Sequence, residues 1–307
     1  MTIVSTSTSA FFDRSRSDIK NLRTQAENYQ AQMSSGAKFD RSSDDPVAAS
    51  RLRVLSRQEA LSGVDKTNAD RANADLSLAD STMSDMSDAL MQVQDLATQA
   101  SSSTLTDDQR ASIGTALDQI FGNLLALANA RDSNGHALFG GASAGDAYSL
   151  DASGNAVYVG SASSDTLPLG DGQSVTRSMT GPEFLSFKDA NGNQTDLLAV
   201  VKGLSDALKG GSTDPTGAAS AALTDLKTGL DTLSTGQTVV GTRLSWIEVV
   251  GDRRTNLSEL RSTEESDIGG ADLPTTIANL QETLTVLEAA QSTFGKLASL
   301  SLFNEIS

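Results

Sequence analysis

Cysteine is absent, histidine occurs once, and aromatic residues make up only 4% of the 307 positions. Without cysteine there is neither a disulfide nor a thiolate metal site, and the lone His136 excludes any chemistry that needs two imidazoles. The five prolines leave long stretches in which nothing interrupts a helix. No run of eighteen apolar residues occurs, so no segment is expected to insert in a membrane as a helix. Positive charge is also short: 23 Lys and Arg stand against 39 Asp and Glu, a formal charge of −16. Nucleic acid is thereby disfavoured as a partner, because phosphates need a basic face. Met1 to Ser9 shows no basic start followed by an apolar core, so no Sec-type signal is expected. These rules alone point to the cytoplasm, but they do not detect export routes that lack a cleaved signal.

What the chain does have is helical periodicity. At the C-terminal end Leu273, Ile277, Leu280, Leu284, Leu287, Phe294 and Ala298 recur three or four apart, with Gln291 the one polar residue in register. Such a stripe is the seam of a coiled coil. Asp272 before Leu273-Pro274 suits an N-cap followed by proline in the first turn. The N-terminal end repeats the spacing with Phe12, Ile19, Leu22, Ala26, Tyr29 and Met33, broken by Ser15. Residues 13–57 carry nine basic against six acidic side chains, and residues 259–307 carry two against eight. Two seams flanked by opposite charge favour mixed pairing. The two ends are therefore expected to lie side by side. The candidate assembly interface comprises Phe12, Ile19, Leu22, Tyr29, Met33, Ile277, Leu280, Leu284, Leu287, Phe294 and Leu297.

Between the ends, Gly36 stops the first helix and Asp44-Asp45-Pro46 starts the next, a helix corner. Leu76, Ala79, Met83, Met86, Leu90, Val93 and Ala97 form an unbroken stripe, with the two methionines read as core filler. Thr106-Asp107-Asp108-Gln109 is a capping box ahead of a helix bearing Ile113, Leu117, Ile120, Leu124 and Leu127 on one face. From Asn134 to about Gly192 glycine is dense and the helical period vanishes. Ala156–Val159 and Ser174–Ser178, each after a tight turn, predict short strands. Leu197, Val201, Leu204 and Leu208 mark a returning helix. Leu223, Leu226, Leu230, Leu233, Val240, Leu244 and Ile247 mark a long one, running through Leu257 and Leu260 to a joint at 263–267.

The expected fold is mainly α: a long-helix coiled-coil bundle with a small inserted all-β domain, the terminal rods pairing. Residues 1–42 and 263–307 form the rods, expected to be disordered until assembled. Residues 43–133 and 193–262 form the bundle, and 134–192 the insert.

Candidate chemistry does not converge. His136 lies in a turn before Leu138-Phe139, with no partner nominated by the sequence. Gly140-Gly141 lacks both the G-x-G-x-x-G spacing and a G-K-S/T ending. Asp189 to Asn193 begins like a calcium loop but has Gln194 and Val200 where glycine and glutamate belong. The paired carboxylates Asp44 and Asp45 have no histidine or cysteine beside them. No catalytic, cofactor or metal site is expected, and no enzymatic activity.

Several segments match one family. Ser34-Ser35-Gly36, the Asp44-Asp45-Pro46 corner, the Gly135–Gly141 turn with Leu138-Phe139, and the ending Phe294–Phe303 resemble the flagellin superfamily. Pro46 after the aspartates and the Gly-x-x-Leu-Phe-Gly-Gly turn favour its hook–filament junction branch over the filament subunit. His136-Ala137 departs from the family, which often has Arg-Tyr there. The resemblance implies a structural subunit of the bacterial flagellum that leaves through the type III export channel without a cleaved signal peptide. Implied partners are further copies of itself in a ring, the hook-side junction protein (hook-associated protein 1), flagellin and a flagellar export chaperone. The alternatives are flagellin itself and a cytoplasmic coiled-coil adaptor.

Overall fold

The computed structural model describes the backbone of residues 3–306 and the side chains of residues 10–299. Helices dominate: α1 (Ile3–Ser35), α2 (Pro46–Ala100), α3 (Asp107–Ala128), α4 (Gly181–Leu185), α5 (Leu197–Asp206), α6 (Pro215–Gly269) and α7 (Leu273–Ile306). Six short strands intervene: β1 (Tyr148–Leu150), β2 (Ala156–Tyr158), β3 (Thr166–Gly170), β4 (Gln173–Thr176), β5 (Ser186–Lys188) and β6 (Gln194–Asp196). The fold is mainly α with a small β insertion, and the two ends pair. Two compact units emerge, one of residues 61–255 and one of 1–60 with 256–307.

Within residues 61–255 the core follows the α2 stripe. Every position from Leu76 through Ala97 in the expected series is buried, extended by Ala69, Ala72 and Ala100. Helix α3 starts at the expected capping box, Thr106 accepting from Gln109 N while Gln109 Oε1 accepts from Thr106 N. Its buried face is Gly114, Leu117, Phe121, Leu124 and Ala128, so Ile113, Ile120 and Leu127 lie at the margin rather than the centre. The reason is the backbone at Gly114, which lies against α5: a Cβ there would come within 3.0 Å of Ser205 O. Ser205 Oγ lies 2.8 Å from Gly114 O and 2.6 Å from Asp118 Oδ1. Burial alone would raise the Asp118 pKa, but hydrogen bonds from Lys209 and Ser205 outweigh it and hold the carboxyl below its ordinary range.

Helix α6 rotates in the same way. Its buried series is Leu226, Gly229, Leu233, Gly236, Val240, Ile247 and Val250, with Leu223, Leu230 and Leu244 only partly buried. The glycines sit where the inserted region presses closest. A Cβ on Gly236 would meet Phe184 Cβ at 2.6 Å and Met83 Cε at 2.8 Å, whereas Gly241 has open space. Alanine in a helix interior gains about 1 kcal/mol over glycine, but overpacking costs roughly 1–3 kcal/mol. Gly236→Ala should therefore lower the midpoint of urea denaturation and Gly241→Ala raise it; equal shifts would show that α6 has room at Gly236. The joint expected at residues 263–267 is not a break. No proline or glycine occurs between Gly251 and Gly269, and α6 continues unbroken to Gly269.

The insertion is three separate antiparallel hairpins, β1–β2, β3–β4 and β5–β6, rather than one sheet. It also holds the one-turn helix α4 between the second and third hairpins. The turns explain the separation: Asp151-Ala-Ser-Gly-Asn155 and Asp189-Ala-Asn-Gly-Asn193 are near-repeats folded alike. In each, Asp Oδ1 accepts from the backbone N–H two and four residues on, and glycine takes φ +81° or +84°. The Asn155 side-chain amide, with the backbone bonds, holds the Asp151 pKa low, and the backbone bond from Asn193 leads in doing the same for Asp189. The calcium-like loop at Asp189 is thus a turn whose carboxylate is occupied by its own backbone.

Candidate assembly interface

The N- and C-terminal segments meet through backbone as well as side chains. Gly36 closes α1 at φ +69° and accepts from Ala271 N, while Lys38 N donates to Gly269 O at 2.7 Å. Ala37 and Gly270 form an antiparallel bridge. Asp45, not Asp44, caps α2: its Oδ1 accepts from Val47 N and Ala48 N at 3.1 and 2.9 Å, and Pro46 fills the first helical position. Asp44 instead accepts from Arg41 N, closing the turn before the cap. Asp45→Ala should cost about 1 kcal/mol. Asp44→Ala should cost less, which comparative urea melts would check.

Beyond the corner, the first turns of α2 lie along the last turns of α6. Arg51 grips Glu264 through Nε and Nη2 at 2.5 and 2.8 Å, and Glu59 accepts from Ser258 Oγ at 2.8 Å. The Arg51 bonds hold the Glu264 pKa below its ordinary value. Sequence periodicity had no means of finding these pairs, which are more than 190 residues apart in the chain.

Helix α7 begins at the expected cap, Asp272 accepting from Thr275 N and Thr275 Oγ1, which lowers its pKa. It runs antiparallel to α1, their Cα atoms approaching within 8 Å. On α1 the contact follows the expected register: Phe12, Ser15, Ile19, Leu22 and Tyr29 are half-buried and Ala26 is buried. Met33, at the end of the stripe, is exposed.

On α7 the expected stripe divides. Leu280, Leu287 and Phe294 face α1, Phe294 meeting Phe12 edge-on at 5.5 Å between ring centres. The residues beside them in the seam are Thr276 and Thr283, both buried, and Ala290. Ile277 and Leu284 sit one position further round and stay 40% and 48% exposed; Leu273 and Leu297 are exposed too. The sequence reading missed the threonines because it followed apolarity. A Thr side chain can enter a seam once its hydroxyl is satisfied, and Thr283 Oγ1 donates to Asn279 O at 2.7 Å. Opposite charge does not seal the pair either. Among the described residues no ion pair joins α1 to α7, and the one on α1 is Arg23 with Glu27 of the same helix. The Leu300–Phe303 part of the family-like ending has no described side chains.

Among the described residues, the remaining candidates do not form a site. His136 Nδ1 lies 3.6 Å from Asp132 Oδ2, but that carboxylate already accepts from Arg177, whose Nε also donates to Asp75 at 2.5 Å. Leu138 and Phe139 are buried as the turn implies. Among the described residues no cluster of three metal-binding side chains occurs.

Known proteins resemble this chain over most of its length. The sequence profile of the bacterial flagellin N-terminal helical region matches residues 5–144. Flagellar hook-associated protein 3 of Escherichia coli is 29% identical over 312 aligned positions, covering 97% of this chain and 98% of that protein. Residues 5–144 thus resemble the flagellin N-terminal helical region, and nearly the whole chain resembles a hook-associated protein. The hook-associated protein 3 of Salmonella typhimurium is 27% identical, again end to end. A solved hook-associated protein from Vibrio parahaemolyticus superposes with a TM-score of 0.68 at 21% identity, over 74% of this chain and 100% of that one. The relatives named here are flagellar hook-associated proteins, and the solved one shares the fold.

Proposed function

We propose that this chain is the structural subunit joining the flagellar hook to the filament. The observation that carries the reading is the end-to-end match to two hook-associated protein 3 sequences, covering 97% of this chain in each case. The filament subunit itself is the second reading, favoured only by the flagellin profile over residues 5–144. The partners that follow are other copies of itself in a ring, the hook-side junction protein, flagellin and an export chaperone. The route is type III export without a cleaved signal. Electron microscopy of a deletion strain tests the assignment. Intact hooks without filaments are expected, restored by this chain. Filaments that persist on deletion would overturn the junction role, and long filaments built by this chain alone would establish the second reading.

The ends are the polymerising parts and order on assembly. Support comes from the thin seam: on α1 only Ala26 is buried among the described residues, so pairing removes little apolar surface from water. Two lone helices sharing such a seam are marginal in water. Amide hydrogen exchange on dilute monomer should find fast exchange at Leu280–Leu297 and strong protection at Leu76–Ala97. Comparable protection at both would show that the rods are already folded.

A further inference from the structure

A third turn folds like the two at Asp151 and Asp189. In Asp132-Ser-Asn-Gly-His136, Asp132 Oδ1 accepts from Asn134 N and His136 N at 2.8 and 2.9 Å, and Gly135 takes φ +82°. In all three turns the glycine N–H donates at 3.0 Å to the main-chain oxygen of the opening aspartate. Two of them place asparagine before that glycine. These are Asn134-Gly135 and Asn191-Gly192, the only Asn-Gly pairs in the sequence; the third turn has Ser153 there. Both asparagines are exposed.

An Asn-Gly pair carries its own chemistry, because glycine has no Cβ to keep its nitrogen away from the preceding side chain. Once hydroxide takes the glycine N–H proton, that nitrogen attacks Asn Cγ. The Cγ–Nδ2 bond breaks, ammonia leaves, and a five-membered succinimide remains. Water then opens the ring, at Cγ to give aspartate or at the main-chain carbonyl to give isoaspartate. The sum is amide plus water to acid plus ammonia, with no change of oxidation state. The closed turn blocks the first step, since the glycine N–H is held by the aspartate oxygen. Reaction therefore waits on local opening, and the free energy of that opening sets the rate.

The two turns differ in what opening them breaks. Asp132 is buried, its Oδ2 accepts from Arg177 Nη2, and Arg131 Nη1 donates to Gly135 O. Opening there disturbs a buried carboxylate and its cation, which is costly. At the other turn residues 190–194 are all exposed, and the Asp189 carboxylate is engaged from within the turn, Oδ2 accepting from Asn193 Nδ2 at 3.2 Å. We infer that Asn191 is a site of spontaneous deamidation, and that Asn134, the same pair in the same turn, is protected by the Arg177 bridge. Conversion at Asn191 puts a second carboxylate close to Asp189. The isoaspartyl form also adds one main-chain bond to the turn joining β5 to β6, next to the Lys188–Gln194 pair. The change needs no enzyme and accumulates with the age of the molecule.

Peptide mass spectrometry on the purified full chain, held in mildly alkaline buffer and sampled over time, tests this. Deamidated product at Asn191 should build up at least fivefold faster than at Asn134. In concentrated urea, where neither turn exists, the two rates should agree within twofold. Arg177→Met should speed Asn134 at least threefold and leave Asn191 unchanged. If circular dichroism shows that Arg177→Met does not fold, Arg131→Gln, which removes the bond to Gly135 O, decides in its place with the same expected direction. No product at Asn191, equal rates in the folded chain, or faster reaction at Asn134 would overturn the proposal. So would a ranking that persists in urea, since the neighbouring residues and not the turn would then set it. An Asn134 rate unmoved by the deciding variant would remove the Arg177 bridge as the source of protection.

Discussion

Leu287→Asp should abolish incorporation into the flagellum while leaving the melt of residues 61–255 nearly unchanged. Leu287 faces α1 in the middle of the seam, between buried Thr283 and half-buried Ala290. A carboxylate there must lose water or push the helices apart, at a cost on the order of 3 kcal/mol. That weakens pairing by roughly 100-fold. Leu287 belongs to the unit of residues 1–60 and 256–307, so the thermal transition of residues 61–255, followed by circular dichroism, should move by no more than a degree or two. Leu284→Asp makes the contrast. Its side chain is half exposed, so α1–α7 pairing should survive and only contact with a neighbouring molecule should suffer. Filament counts by electron microscopy, with secreted protein measured in the medium, separate export from incorporation. A large loss of melting temperature in Leu287→Asp would show that the terminal pair already stabilises the free subunit.

The opposite pattern is expected for Arg177→Met. The guanidinium bridges Asp75 on α2 and Asp132 beside the 131–138 turn, and both carboxylates are almost fully buried. It also sits beside a cavity of about 20 Å³ lined by Asp165 and Ser178, room for one water. Removing it leaves two buried carboxylates without their cation, a loss of about 3–5 kcal/mol. In a unit of this size that lowers the melting temperature by roughly 10 °C. Arg177→Lys keeps the charge but must serve both carboxylates from one nitrogen instead of from Nε and Nη2, so it should fall between. A melt of Arg177→Met within two degrees of wild type would show that water replaces the arginine at no cost.

Much of this was legible in the residues because it depends on local rules. The α2 stripe from Leu76 to Ala97 repeats every 3.5 residues for three heptads, and every member is buried. Caps at Asp45, Thr106 and Asp272 are short-range hydrogen bonds, so their spacing announces them. Rotation of α3 and α6 was not legible. Their centres are Gly114, Gly229 and Gly236, residues that bring no apolar side chain and matter only because another backbone or ring approaches. The same holds for Thr276 and Thr283, which enter the seam through size and a satisfied hydroxyl. The joint expected at 263–267 failed for a related reason: a run of charged residues reads as a linker until Arg51 and Glu59 hold that part of the helix against α2.

By itself, then, the order of residues determined that the chain is helical toward both ends, interrupted by hairpins, and free of cysteine. Periodicity, capping and composition act over a few residues and need no partner to be read. Only the tertiary structure decided which side of each stripe is used, that Arg177 is shared by two buried aspartates, and that Ile277 and Leu284 remain uncovered. Those outcomes depend on how closely two backbones approach, which is set by residues far apart in the chain.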